Sequence, residues 1–214
     1  MTTTSPPGWF AEVLLGRRPR EARAVAIALA DEGLPPREIY LGVLGPALEE
    51  VGSRWQRGTA TVAQEHLATA VVSSIMATLA PRLAEPPPVA RLAVLACTDG
   101  ELHVVGLRMV GDFLEADGWE VLYLGAVTPG AEVERFVAEG QPDVVGLSTT
   151  LSTHLEAAKA TVASLRELPI PPFILVGGRA YGGDADVARR IGADAFASDA
   201  GEASKVLRAR FDHG

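Results

Sequence analysis

Apolar and polar positions along the chain follow two different rhythms. Up to about residue 85 the spacing is helical. Glu21 to Asp31 is alanine-rich with apolar positions at Val25 and Leu29, and Gly33 suits its end. From Pro36 an apolar stripe at Leu41, Leu44, Leu48, Val51 and Trp55 predicts a longer helix, kinked at Pro46 and ended by Gly58. Thr61 with Gln64 three residues later has the form of a capping box, opening a helix that runs through Val72, Ile75, Leu79 and Leu83. With the segment from Trp9 to Leu15, this predicts a bundle of about four helices over residues 8–85.

The rhythm changes after Glu85-Pro86-Pro87-Pro88, a run that favours a stiff extended connector and excludes helix and central strand. Beyond it, strand, glycine-rich turn and helix alternate five times. The predicted strands are Leu92–Cys97, Glu120–Leu124, Val144–Ser148, Phe173–Val176 and Ala195–Ala197. Such an order predicts an α/β domain over residues 90–212, a five-stranded doubly wound parallel sheet of flavodoxin or Rossmann type.

Composition narrows the function classes. A chain of 214 residues can bury a real core, and its net charge of -8 argues against a nucleic-acid or anionic-membrane surface. Met1 to Pro7 has no basic segment followed by an apolar one, and no apolar run approaches the ~18 residues of a membrane span, so a cytoplasmic protein is expected. The one cysteine, Cys97, closes an apolar strand and reads as packed core rather than disulfide.

The chemistry concentrates in the loop after the first strand, Thr98 to Gly106. In an open parallel sheet such loops lie at the carboxyl ends of the strands, where ligands bind. Glu101, two residues before His103, can hold one imidazole nitrogen and leave the other free for a metal. Glu101-Leu102-His103-Val104-Val105-Gly106 resembles the acidic-x-His-x-x-Gly motif of cobalamin-binding domains, in which the histidine is the lower ligand of cobalt. Ser148 and Thr150 after the third strand, and Gly177-Gly178 after the fourth, resemble the residues that line the nucleotide-tail slot of that family. The resemblance spans residues 90 to 210 and implies His103 as metal ligand, with Glu101, Gly106, Ser148, Thr150, Gly177 and Gly178 around the cofactor. Read without it, the glycines and hydroxyls are turn formers.

Within the bundle, Trp55, Val62, Glu65 and His66 resemble the Trp-x9-Glu-His signature of light-sensing adenosylcobalamin proteins of the CarH and LitR type. Trp55 ends one apolar stripe and Glu65 opens the next, so both are expected to face one region. The resemblance implies that these four residues cap the upper face of adenosylcobalamin, bound between the two domains. Light would break the cobalt–carbon bond and change conformation or association.

Two departures bear on output. Only Met1 to Pro7 precedes the first helix, so the MerR-type DNA-binding domain of that family is not seen and no direct DNA binding is expected. Gln56 stands where several of those repressors carry a histidine that captures cobalt after photolysis, which leaves the photoproduct ligand open. The expected protein is a non-enzymatic sensor and homo-oligomer acting on an unidentified protein partner. The alternative is a corrinoid methyl carrier of a methyltransferase system. A flavodoxin-like module without corrinoid is the plainer reading, and a radical mutase is less expected because its chemistry needs a substrate barrel for which these 214 residues leave no chain. The arrangement also resembles photocobilins, which implies biliverdin as a second, non-covalent chromophore. His154, near the start of a helix, is either a solvated or capping residue or a polar contact to the corrin rim or that bilin.

Overall fold

Proline sets where several of the bundle's helices begin. After α1 (Pro7–Leu15), both α2 (Pro19–Asp31) and α3 (Pro36–Ile39) start on a proline, whose missing N–H is no loss in a first turn. The computed structural model describes residues 7–83 and 87–211; Glu85 and Pro86 of the proline run, and position 212, lie outside the described residues. The chain forms two units, Met1–Ala84 and Glu85–Gly214.

In the first unit, the helical run that begins at Pro36 is not broken at Pro46. A π turn over Tyr40–Leu44 leads into α4 (Gly45–Gln56), and Gly45 N–H bonds to the Tyr40 carbonyl, five residues back. The widened turn absorbs the residue that can neither donate nor tolerate a close carbonyl four positions earlier. It also rotates the helix face. The buried positions are Ile39, Tyr40, Val43, Leu44, Ala47 and Val51, whereas Leu41 and Trp55 of the predicted stripe are exposed. A single 3.6-residue period from Pro36 to Gln56 therefore misplaces Leu41, before the widened turn, while Trp55 keeps the face of Val51 and is exposed in the last turn of α4.

Helix α5 (Val62–Leu79) opens with the expected capping box: Thr61 Oγ1 accepts from Gln64 N at 3.2 Å and Gln64 Oε1 from Thr61 N at 3.0 Å. Gln64 Nε2 also donates to the Leu15 carbonyl, tying this end of α5 to the end of α1. A single 3₁₀ turn, Ala80–Arg82, follows. Tyr40 is fully buried and donates its hydroxyl to the Met76 carbonyl at 3.0 Å.

The second unit is the predicted doubly wound sheet. Strands β1 (Leu92–Cys97), β2 (Glu120–Gly125), β3 (Val144–Ser148), β4 (Phe173–Gly177) and β5 (Ala195–Ala197) are all parallel, in the order β2-β1-β3-β4-β5. Helices α6 (Val105–Glu115), α7 (Gly130–Gly140), α8 (Leu155–Arg166), α9 (Ala185–Arg190) and α10 (Ala200–Phe211) alternate with them. Val94, Ala96, Val145, Leu147 and Ile174 pack with Val133, Val137, Val162 and Leu165 on one face. Ala93, Leu95, Val144 and Leu175 pack with Leu107, Leu114, Ala203 and Leu207 on the other. Both faces are covered, hence the nearly unbroken apolar strands. Strand order reverses between β1 and β3, the switch point where such sheets bind ligands. No helix among the described residues is long and apolar enough to cross a membrane.

Candidate functional site

At the switch point Cys97 and Ser148 are register partners, and Thr98 N donates to the Ser148 carbonyl at 3.0 Å. The loop after β1 turns at Gly100, whose φ of +81° is left-handed, and this carries Glu101 inward. Its carboxylate is fully buried. Oε1 accepts from Leu102 N (2.9 Å), His103 N (3.0 Å) and His103 Nδ1 (2.5 Å). Oε2 accepts across the switch point from Thr150 N (2.8 Å), Leu151 N (3.0 Å) and His154 Nδ1 (3.2 Å). Glu101 thus fastens the β1–α6 loop to the β3–α8 loop.

Burial pushes the Glu101 carboxyl up, but the His103 side chain and the amides of His103, Leu151 and Thr150 outweigh it and hold it at about 2. A charged carboxylate only accepts, so Nδ1 of His103 carries a proton, and in the neutral ring Nε2 then keeps the lone pair. With its side chain 37% exposed, His103 can offer that nitrogen outward. One imidazole fills a single coordination position, so the site fits a metal that brings its other ligands with it. Cys97 is no rival ligand: burial, then the charge of Glu101, push its thiol up to about 12, and its Sγ faces the His103 carbonyl at 3.7 Å.

A pH dependence follows. The Glu101 carboxyl titrates at about 2 in the fold against an ordinary 4.5, so its stabilisation is complete above pH 4.5 and is lost as pH falls through about 2. The shift is worth on the order of 3 kcal/mol. Denaturant unfolding of wild type and Glu101→Gln should show a stability difference that shrinks over that window; a gap independent of pH would contradict it.

The other predicted residues of this unit are spread over the strand ends. Ser148 closes β3 and Thr150 lends its amide to Glu101. Gly177 and Gly178 are demanded by the protein's own backbone: a Cβ would lie 2.7 Å from the Ala197 carbonyl oxygen at Gly177 and 2.2 Å from that of Thr149 at Gly178. Close approach to a ligand is therefore not needed to explain them. Gly106, exposed in the first turn of α6, differs, since a Cβ there would meet nothing within 4 Å.

Sequence reasoning missed two features. Thr149 is fully buried and joins Thr98 Oγ1 (2.7 Å) and Tyr181 OH (3.3 Å) in a chain of hydroxyls. His154 stands at the N-cap of α8 without capping it, its ring turned to Glu101. The available signal was topological: in this strand order the β1 and β3 loops are neighbours, which puts a glutamate and a distant histidine side by side.

In the bundle unit, Trp55 lies in the last turn of α4 and Val62 opens α5; both are exposed. The expectation that Trp55 is packed inward is thus corrected: it shares a face with the buried Ala47 and Val51 but lies in the last turn of α4, where it is exposed. Glu65 is mostly buried, its side chain 19% exposed, and accepts from Thr69 Oγ1 at 2.9 Å, while His66 is 74% exposed with Nε2 at 3.7 Å from Glu65 Oε2. Gln56 is exposed.

Residues 91–208 match the family described as B12 binding domain, and residues 12–80 match a second family of the same description. The HTH-type transcriptional repressor CarH of Myxococcus xanthus is 38% identical over 76% of this chain and 54% of its own length. Monomethylamine corrinoid protein 2 of Methanosarcina acetivorans is 29% identical over 82% of this chain and 83% of its own. The solved structure of the Methanosarcina barkeri monomethylamine corrinoid protein superposes with a TM-score of 0.85 at 22% identity, covering 95% of this chain and 97% of that one, and shares the fold. The chain spans about half the length of the first two curated relatives it matches, 54% and 46%.

Proposed function

The chain belongs to the cobalamin-binding (B12 binding domain) family, and from that premise we propose that it is a light-responsive regulatory protein that takes adenosylcobalamin. His103 Nε2 would be the lower ligand, with Glu101 fixing its tautomer and direction. When bound, adenosylcobalamin supplies a cobalt–carbon bond that light can break. Trp55 and Val62 would give apolar cover to the upper group, and Glu65 and His66 would hydrogen-bond its ribose hydroxyls. Losing that group removes their partners, and the bundle can respond only by the free-energy difference between the two states.

The observation that carries this reading is the upper set itself. An exposed Trp55 and Val62 accompany a carboxylate, Glu65, that is already four-fifths buried. Oε1 of that carboxylate is held by Thr69, and a site built for ribose hydroxyls leaves Oε2 without a close partner when only a methyl is present, which costs roughly 1–3 kcal/mol or on the order of tenfold to a hundredfold in affinity. Output would be a change in self-association or in a protein partner. A net charge of -8 disfavours a phosphate backbone as that partner. Any biliverdin would be held non-covalently, because the one cysteine is buried.

A methyl-carrier reading has its own support in the two-way coverage of the monomethylamine corrinoid protein. Calorimetry with adenosylcobalamin and methylcobalamin, with absorption spectra and sizing before and after green light, separates the two. Wild type should prefer adenosylcobalamin, Glu65→Ala should narrow the gap, and light should change spectrum and size. Equal affinities with no light-dependent change in size favour the carrier.

A further inference from the structure

Glu101 serves two imidazoles. Each oxygen takes two backbone amides and one ring nitrogen: Leu102, His103 and the His103 ring on Oε1, Thr150, Leu151 and the His154 ring on Oε2. A carboxylate offers about four lone-pair sites, so six donors compete for its charge. We propose that His154 is a positioning residue that tunes His103 as a metal ligand: by donating Nδ1–H to Glu101 it divides the carboxylate between two rings and would make His103 Nε2 a weaker donor to cobalt.

The geometry favours this over a merely structural role. The four amides already bind both loops to Glu101 without His154. The 3₁₀ turn Ser152–His154 aims the ring inward, its side chain is only 22% exposed, and a Cβ on Gly100 would lie 3.4 Å from its Nε2, so the ring lies against the β1–α6 turn. As the N-cap residue of α8 it makes no capping bond. The one hydrogen bond its side chain makes among the described residues is to the carboxylate that orients His103.

A hydrogen bond from a ligating histidine to a carboxylate raises the basicity of the ligating nitrogen, and losing that partner typically costs ~10–100-fold in metal affinity. Removing the competitor should act the opposite way and more weakly. The inference rests on His103 as the cobalt ligand, so the test has one arm that needs no cobalamin. His154→Phe keeps a ring over Gly100 and removes the donor; His154→Asn keeps a donor near the Nδ1 position and removes the ring.

In the cobalamin-free protein, nitrogen-15 NMR of the imidazoles should show both rings as Nδ1–H tautomers. His154→Phe should move the His103 Nδ1 proton downfield, and His154→Asn should leave it near wild type. With cobalamin, His154→Phe should bind roughly threefold to tenfold more tightly, with larger nitrogen splitting in the cobalt(II) EPR spectrum, and His154→Asn should restore wild-type values. An unchanged His103 signal in His154→Phe, or weaker binding in both variants alike, overturns the proposal. Failure of wild type to take cobalamin in the His-on form would sink the cobalt-ligand reading, while the NMR arm still judges the sharing of Glu101.

Discussion

Replacing His103 with alanine should abolish the His-on spectrum of bound cobalamin and weaken the fold by one hydrogen bond, whereas Glu101→Gln should damage binding and weaken the fold more. The imidazole is 37% exposed and bonds Glu101 alone through its ring, so its loss takes one charge-assisted donor from a buried carboxylate that keeps its four amides, at about 1.5–3 kcal/mol. Affinity should fall by at least the ~10–100-fold that losing even an outer partner costs. Glu101 is another matter. A glutamine keeps one acceptor oxygen, and its amide nitrogen would point donors at two amides and an imidazole N–H, which are donors too. At least two buried groups lose their partner at roughly 1–3 kcal/mol each. Denaturant unfolding without cofactor, together with spectra on cobalamin addition, reads both effects. A Glu101→Gln protein as stable as wild type, or a His103→Ala protein with an unchanged spectrum, contradicts this account.

That ranking could not be taken from sequence, where Glu101 reads only as the outer partner of His103. The fold was far more legible. Leu92–Cys97 and Val144–Ser148 show as short apolar runs because both faces of a parallel strand are covered, and the structure keeps those bounds. Thr61 and Gln64 marked the start of α5 because a capping box is a local device, complete within four residues. What stayed hidden depends on long-range contact or on a break in period. The Glu101–His154 bond joins residues 53 apart. The π turn over Tyr40–Leu44 shifts the helix face without leaving a mark in composition, which put Leu41 in the wrong place.

The glycines show the same limit, and they separate sharply under substitution. At Gly178 an alanine meets two obstacles. The φ of +111° is a conformation L residues rarely adopt, costing about 1–3 kcal/mol, and the new Cβ would sit 2.2 Å from the Thr149 carbonyl oxygen. Thr149 cannot easily retreat: its amide donates to Gly177 O at 2.9 Å, its carbonyl accepts from Ala180 N at 3.2 Å, and its hydroxyl lies in the buried chain to Thr98 and Tyr181. Gly178→Ala should therefore cost several kcal/mol, on the order of ~4 or more, or prevent folding altogether. Gly106→Ala should do the reverse for the fold, since its Cβ meets nothing within 4 Å and alanine is the better helix former by about 0.5–1 kcal/mol. Thermal unfolding of the two variants without cofactor tests this contrast, and a stable Gly178→Ala protein would refute it. Cobalamin titration of Gly106→Ala then carries the site question further. A variant that folds better yet binds more weakly would mean that the space beside α6 is kept open for the ligand, and undiminished binding would remove Gly106 from the site.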